Sequence, residues 1–337
     1  MKAVQSSYTE MAAYVSVVVF ALAVFVASLA HYGDWARLGD AAQGVISGHP
    51  HWRAYQNRLL GPYLVWGIGH LLPSFTSALK VFTAVSLIGH NILLYALLRA
   101  VNLGSRVAIM AVGLWSAAAI MMLDRYWLYT WDLLDISVFA VAAWTLSFGR
   151  SPAILLVVFP IALLNRESAL LLPIAYVLAH IARKSDGTKP GAKSGVTPLP
   201  LVFAVAGILM AVGVLFIEQS RARLFIERTE VAHFNGTTVL GNLVVLDDNI
   251  RAMMFIDVPP MTAACLALVY LSVVAMAALA LQTADNSVRA VVLFFFVQVS
   301  AVLVFGHVDE TRVWLPLIST VIMAFLAAGL ATRFSRP

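Results

Sequence analysis

The chain has 337 residues, of which 61% are hydrophobic and only 12% are charged, with a formal net charge of +5. Soluble domains carry about 25% charged residues, so this composition excludes an ordinary soluble domain and predicts a polytopic membrane protein. The single cysteine, Cys265, excludes an intrachain disulfide, and the ligand spacings of common zinc motifs do not occur.

Apolar runs predict an all-α transmembrane bundle that forms one domain over residues 1–337, with both termini on the same side of the membrane. A spanning helix needs about 20 apolar residues, and this criterion predicts about ten spans. The first is expected to be an uncleaved span rather than a signal peptide, because only one lysine precedes it. The spans are predicted near 11–30, 77–98, 107–123, 133–149, 151–164, 168–182, 198–217, 259–281, 289–306 and 313–332.

Residues 58–73, between the first two predicted spans, are short, amphipathic and aromatic. We expect this segment to lie in the membrane interface rather than to cross the bilayer. Cytoplasmic loops of membrane proteins carry an excess of lysine and arginine. An interfacial position for residues 58–73 agrees with this rule, because it places most lysines and the flexible basic loop 183–197 on the cytoplasmic side. Nearly all the acidic residues then fall on the opposite, extracytoplasmic side.

A charged break, Asn165-Arg166-Glu167, separates two apolar stretches that are each too short to cross a membrane alone. Either one long helix buries the charges at its centre, or two short helices meet at a charged turn. Ionisable groups within a membrane indicate a functional site, because burying them costs several kcal/mol. Adjacent residues on a helix do not face each other, so Arg166 and Glu167 are expected to contact different groups. Arginine suits a phosphate, although a structural ion pair with a neighbouring span is the alternative.

The first extracytoplasmic loop offers further candidates. Asp34 and Asp40 follow the first span, and either carboxylate could accept a proton from an attacking hydroxyl or cap a helix. Tyr55 is an interface anchor or a ligand contact. Arg58 stands at the membrane edge, where it binds a phosphate or extends towards the interface.

Two later segments open predicted spans with charged residues. Residues 307–312 have the sequence HVDETR. Acidic residues are favourable near the positive N-terminal end of a helix, which accounts for Asp309 and Glu310 but not for Arg312. Asp132 and Asp135 open the fourth predicted span and are interpreted mainly as helix caps. The loop 219–258 contains an amphipathic piece, 220–234, which is expected to lie on the membrane as a lid or as a seal.

This layout resembles the GT-C superfamily of integral-membrane glycosyltransferases, which use polyprenyl-phosphate-linked sugars. The resemblance covers a module of residues 1–185, and residues 186–337 add further spans. It is carried by Asp34 or Asp40, by Tyr55, Arg58 and Pro62, and by the turn Asn165-Arg166-Glu167. The first-loop acids do not form the pair found in many members, which leaves the identity of the base and any metal open, and we expect no C-terminal soluble domain of the kind that many members carry.

The resemblance implies inverting transfer of a hexosyl or pentosyl group from a polyprenyl-phosphate donor to a lipid-linked or envelope glycan acceptor. The active face would be extracytoplasmic, in a membrane such as the bacterial inner membrane. Asp34 or Asp40 would be the catalytic base. The substrate-binding residues would be Tyr55, Arg58, Asn165, Arg166, Glu167, His307, Asp309, Glu310 and Arg312.

No cofactor is certain, and a divalent metal such as Mg or Mn is an alternative. The expected partners are the polyprenyl-phosphate-linked sugar, the acceptor and membrane lipids, without nucleic acid. Three rival functions fit the same charged face: a lipid-linked oligosaccharide polymerase or ligase, a transporter or flippase of a lipid-linked sugar, and a non-catalytic subunit.

Overall fold

The structure, a computed structural model, describes residues 2–50, 57–123, 128–186, 197–224, 246–256 and 258–334. Within these ranges the secondary structure is entirely helical. The α-helices are α1 (Lys2–His31), α2 (Trp35–Ile46), α3 (Leu60–Gly69), α4 (Phe75–Arg99), α5 (Ser105–Met122), α6 (Thr130–Ser147), α7 (Ala153–Asn165), α8 (Leu172–Asp186), α9 (Leu199–Leu224), α10 (Leu246–Met253), α11 (Pro260–Gln282), α12 (Asn286–Phe305) and α13 (Leu315–Phe334). Short 3-10 turns at Glu167–Leu171 and Thr311–Trp314 lead into α8 and α13.

Seven helices of the described chain are long and apolar enough to cross a membrane. They are Glu10–His31, Phe75–Arg99, Ser105–Met122, Leu199–Leu224, Pro260–Gln282, Asn286–Phe305 and Thr311–Ala331. Many of their apolar side chains stay exposed on the outside of the bundle, as expected of surfaces that face lipid. The protein is therefore an all-α bundle of the integral-membrane class.

The predicted count of about ten spans is not supported, because three of the predicted spans correspond to helices that fail the criterion of length and apolarity. Helix α6 carries Asp132 and Asp135 in its first two turns. Helix α7 has 13 residues and rises about 20 Å, whereas the hydrocarbon layer is about 30 Å thick. Helix α8 has 15 residues and ends in Arg183 and Lys184.

The break at residue 166 is a change of backbone conformation, not a charged position inside one helix. Arg166 is extended, with φ −164° and ψ 155°, so α7 ends at Asn165. The chain then continues through the 3-10 turn Glu167–Leu171 into α8. Of the two alternatives drawn from the sequence, the structure has two short helices that meet at a charged turn.

The segment between α1 and α4 forms the two short helices α2 and α3. Helix α3 has ten residues, which is too few to cross a bilayer. It packs against α4 and α6 and leaves Tyr63 and Trp66 exposed. Its backbone reaches the start of α6 very closely, because a Cβ built on Gly61 would lie 2.8 Å from three atoms of Thr130.

Ion pairs mark two opposite ends of the bundle. At one end, where α1 begins and α4 finishes, Arg99 Nη2 lies 2.7 Å from Glu10 Oε1, and Arg150 donates to the Ala100 carbonyl at 2.8 Å. At the other end α1 finishes, α6 begins, and α7 is followed by the charged turn. This second end gathers most of the charged residues that the sequence singles out.

Substituting Gly61→Ala tests the contact that positions α3 against α6. The added Cβ would meet backbone as well as side-chain atoms of Thr130, so we expect a loss of about 1–3 kcal/mol of stability. The measurement is the apparent midpoint of thermal unfolding in detergent, followed by a thiol-reactive fluorophore, because the single cysteine, Cys265, is fully buried.

Gly67→Ala is the matched control on the same helix. A Cβ at Gly67 meets no atom within 4 Å, and alanine favours the helix, so the midpoint should stay unchanged or rise. Equal midpoints for both variants would show that the α3–α6 contact is not tight.

Candidate functional site

Asp132 is the centre of the charged end of the bundle. It is 3% exposed and stands in the first turn of α6. Its Oδ1 accepts a hydrogen bond from Arg166 Nη1 at 2.9 Å, and its Oδ2 accepts one from Arg312 Nη1 at 2.6 Å. Oδ2 also accepts the backbone N–H of Tyr129 at 3.0 Å. One carboxylate thus caps α6 and joins three segments that are distant in sequence.

Asp135 extends this contact along the same face of α6, since residues three apart lie side by side on a helix. Its Oδ2 lies 3.7 Å from Arg166 Nη1, and its Oδ1 accepts the hydroxyl of Ser168 at 2.7 Å. The start of α6 therefore presents two buried carboxylates to the turn between α7 and α8.

Glu167 turns away from these acids and meets two other arginines. Arg221 Nη2, in the last turn of α9, donates to Glu167 Oε1 at 3.0 Å. Arg58 Nε lies 3.6 Å from Glu167 Oε2. The adjacent residues Arg166 and Glu167 thus contact different partners, and the short turn that carries them ties α6, α9 and the first loop together.

Two aromatic rings separate two of the arginines. Tyr129 and Trp131 stack with their centroids 4.7 Å apart and an interplanar angle of 14°. The guanidinium carbon of Arg58 lies 4.9 Å from the Trp131 ring centroid, and that of Arg312 lies 4.7 Å from the Tyr129 centroid. Guanidinium groups stack well on aromatic faces, so these contacts hold both cations in a largely dry environment.

Every arginine of this network has a carboxylate within 4 Å. Among the described residues, ion pairs join four arginines to five acids: Arg58, Arg166, Arg221 and Arg312 to Asp132, Asp135, Glu167, Glu218 and Glu310. An anionic ligand would therefore have to replace a carboxylate at one of the arginines. The 3.6 Å separation of Arg58 Nε and Glu167 Oε2 is longer than a hydrogen bond.

Tyr32, just beyond the end of α1, reaches the same region. It is 4% exposed, and the charges of Arg312 and Asp132 act on its phenol. Burial raises the pKa of Tyr32 above its ordinary value, so the phenol stays protonated. It packs edge-on against Trp35 at the start of α2, which brings the beginning of the first loop next to the Asp132 network.

The two predicted catalytic acids lie outside the described ion pairs of this network. Asp34 is exposed and caps α2 by accepting the backbone N–H of Arg37 at 3.0 Å. Asp40 is exposed on α2. Asp34 lies between Tyr32 and Trp35 in the sequence, whereas Asp40 lies five residues beyond Trp35, and the catalytic role of both stays a prediction.

The predicted substrate-binding residues divide into three groups. The first group consists of the residues that take part in the ion-pair network: Arg58, Arg166, Glu167, Glu310 and Arg312.

The second group contains three residues that adjoin the network. Asn165 is fully buried and donates to the Trp131 carbonyl at 2.8 Å, whereas His307 and Asp309 are half-buried in the turn before Glu310. Tyr55, the third group, lies outside the described residues.

Sequence reasoning missed the central role of Asp132 and the presence of Arg221. Asp132 does cap α6, as the sequence indicated, but the cap alone does not reveal the two arginines that reach it. Arg221 was assigned to an amphipathic piece beginning at residue 220, whereas α9 continues to Leu224. The spacing of Glu218 and Arg221, three residues apart at the end of an apolar run, was the available signal.

Among the residues that the structure describes, no group of three or more His, Cys, Asp or Glu side chains is arranged to hold a metal ion. Mg or Mn therefore remains an alternative from the sequence only.

Comparisons with protein-family models, with curated proteins and with solved structures found no significant match. The geometry of the Asp132 network and the resemblance noted in the sequence are therefore the basis for any functional proposal.

Substituting Asp132→Asn tests whether this residue fixes the network. Asparagine keeps the shape and the acceptor for Tyr129 N–H, but it leaves Arg166 and Arg312 without their shared anion. Removing one partner of a buried ion pair costs about 3–5 kcal/mol, so the apparent midpoint of Cys265 labelling should fall strongly.

Asp248→Asn on α10 is the matched control, because Asp248 is exposed and its charge contributes little. A midpoint of Asp132→Asn that equals the wild-type value would show that the guanidinium groups do not depend on Asp132.

Proposed function

We propose that the protein is a membrane glycosyltransferase that transfers a sugar from a polyprenyl-phosphate donor to a lipid-linked or envelope glycan acceptor. The observation that carries this proposal is that Arg166 and Arg312 meet on Asp132, while Arg58, from a third distant segment, lies over the neighbouring Trp131 ring. Guanidinium groups are suited to phosphate oxygens, and their position at one end of a helical bundle suits a donor with a lipid tail.

The arginines would stabilise the leaving group. An acceptor hydroxyl oxygen attacks the anomeric carbon, and the bond from this carbon to the phosphate oxygen breaks. The electron pair of that bond leaves with the polyprenyl phosphate, whose negative charge grows in the transition state. Attack in line with the departing phosphate inverts the configuration at the anomeric carbon.

The acids would hold the arginines ready for the donor. In the free protein the carboxylates fix the positions of the guanidinium groups, so little reorganisation is needed when the donor arrives. The donor phosphate would compete with one of these carboxylates for its arginine.

Asp34 is the first choice for the base that accepts the hydroxyl proton, and Asp40 is the second. Asp34 follows Tyr32 by two residues, and Arg312 and Asp132 act electrostatically on the Tyr32 phenol. Its exposed carboxylate remains accessible to an acceptor. The active end would face the extracytoplasmic side of the membrane, opposite the lysine-rich side.

Substituting Asp34→Asn tests the base. Asparagine caps a helix about as well as aspartate, so α2 should stay folded while the rate of transfer falls by about 10²–10⁴-fold. The assay presents the protein in nanodiscs with polyprenyl-phosphate hexose or pentose donors and with glycolipid acceptors. Products are identified by mass spectrometry.

Asp285→Asn is the matched control, because Asp285 caps α12 by accepting the N–H groups of Ser287 and Val288. It lies at the opposite end of the bundle, where Gly149 approaches Ser287, and its substitution should leave the rate unchanged. A double variant Asp34→Asn, Asp40→Asn with the wild-type rate would remove the catalytic proposal. Movement of the donor across proteoliposomes without a new glycosidic bond would favour a flippase.

A further inference from the structure

Asn57 is a buried amide whose side chain makes no hydrogen bond with the residues that the structure describes. Its relative exposure is 0%, and neither its Oδ1 nor its Nδ2 makes a hydrogen bond. Leaving such a group unsatisfied costs about 1–3 kcal/mol, so folded proteins rarely keep one without a reason. The mutual contacts of the arginines and acids do not use this side chain.

The backbone next to Asn57 places it beside the Asp132 network. The following residue, Arg58, lies over the ring of Trp131. The N–H of Leu59 donates to the carbonyl of Leu164 at 2.9 Å, so residues 57–59 run alongside the end of α7. Asn57 is therefore held between the first loop and the turn that carries Arg166.

A second amide in this region is also incompletely bonded. Asn165, which ends α7, donates from Nδ2 to the Trp131 carbonyl at 2.8 Å, but its buried Oδ1 has no partner among the residues of the described ranges. Two buried amides with free polar atoms thus flank the chain segments that carry Arg58 and Arg166.

The chemistry of these groups separates two parts of a ligand. A guanidinium group only donates hydrogen bonds and selects an anion, whereas an amide donates and accepts and therefore matches a hydroxyl group. A ligand that carries a phosphate and several hydroxyl groups satisfies both. The free amide atoms belong to the residues that directly precede Arg58 and Arg166 in the sequence, and this pairing fits a glycosyl phosphate better than a bare lipid phosphate.

We infer that Asn57, together with Asn165, recognises the sugar hydroxyl groups of the glycosyl-phosphate donor, while the neighbouring arginines bind its phosphate. This inference rests on the proposed function. It assigns to Asn57 a role in binding and not in stability, since within the described part of the chain its side chain forms no hydrogen bond.

Asn57→Ala tests the inference by direct binding to the purified protein in nanodiscs. The probes are a polyprenyl phosphate, the same lipid carrying a hexose, and a water-soluble hexose 1-phosphate. Wild-type protein should bind the glycosylated lipid about tenfold more tightly than the bare lipid, which corresponds to roughly one well-formed polar contact. Asn57→Ala should lose this preference and bind the bare lipid as the wild type does.

Asn91→Ala is the matched control. Asn91 is equally buried, and its Oδ1, like that of Asn165, makes no hydrogen bond with the described residues. Its Nδ2, however, donates to the Val17 carbonyl at 3.3 Å and to Ser116 Oγ at 3.1 Å within the bundle. Its substitution should lower the unfolding midpoint and leave the sugar preference intact. Asn57→Ala should show the opposite pattern, with an unchanged or higher midpoint. Asn57→Leu, which fills the space with apolar atoms, should behave in the same way.

The outcomes separate this inference from the proposed function. If Asn57→Ala keeps the preference for the glycosylated lipid, or if wild-type protein has none, sugar recognition by Asn57 is refuted and the phosphate site stands. If wild-type protein binds neither lipid, the proposed function fails. If hexose 1-phosphate binds as tightly as the lipid and Asn57→Ala weakens it, the sugar contact is supported and a polyprenyl donor is refuted.

Discussion

The charged end of the bundle depends on the ion pairs that Asp132 makes with Arg166 and Arg312. A carboxylate that is 3% exposed would be costly without compensation, and it receives Arg166, Arg312 and the Tyr129 N–H together. Because these donors belong to the turn after α7, the turn before α13 and the start of α6, one side chain fixes the relative position of three segments. The remaining ion pairs extend outward from this fixed centre.

The sequence predicted the all-α membrane class and the charged break at residues 165–167, because both follow from local composition and hydropathy. It did not predict how many helices are long and apolar enough to cross the membrane. Helix α6 begins with polar residues, and α7 and α8 are short, so these three helices do not meet that criterion. Apolar runs bounded by polar residues look alike in sequence, whether they cross a membrane or stop within the bundle.

The candidate site was predictable in its members more than in its contacts. Arg58, Arg166 and Arg312 are conspicuous as charged residues at the edges of apolar runs, and the structure brings all three into one network. Their partners were not predictable, because Asp132 and Arg221 depend on how helices pack. Asn57 gives no sequence signal at all, since an asparagine becomes informative only when its burial and its lack of partners are known.

The short length of α7 has a consequence for the surrounding lipid. Its outer face exposes Val157 and Ile161, so acyl chains adjoin a helix that rises about 20 Å before the backbone turns at Arg166. Hydrophobic mismatch of this size is relieved when the bilayer thins locally. Lipid headgroups of the nearer leaflet would then lie closer to the turn, and the bilayer would be thinner beside α7 than around the rest of the protein.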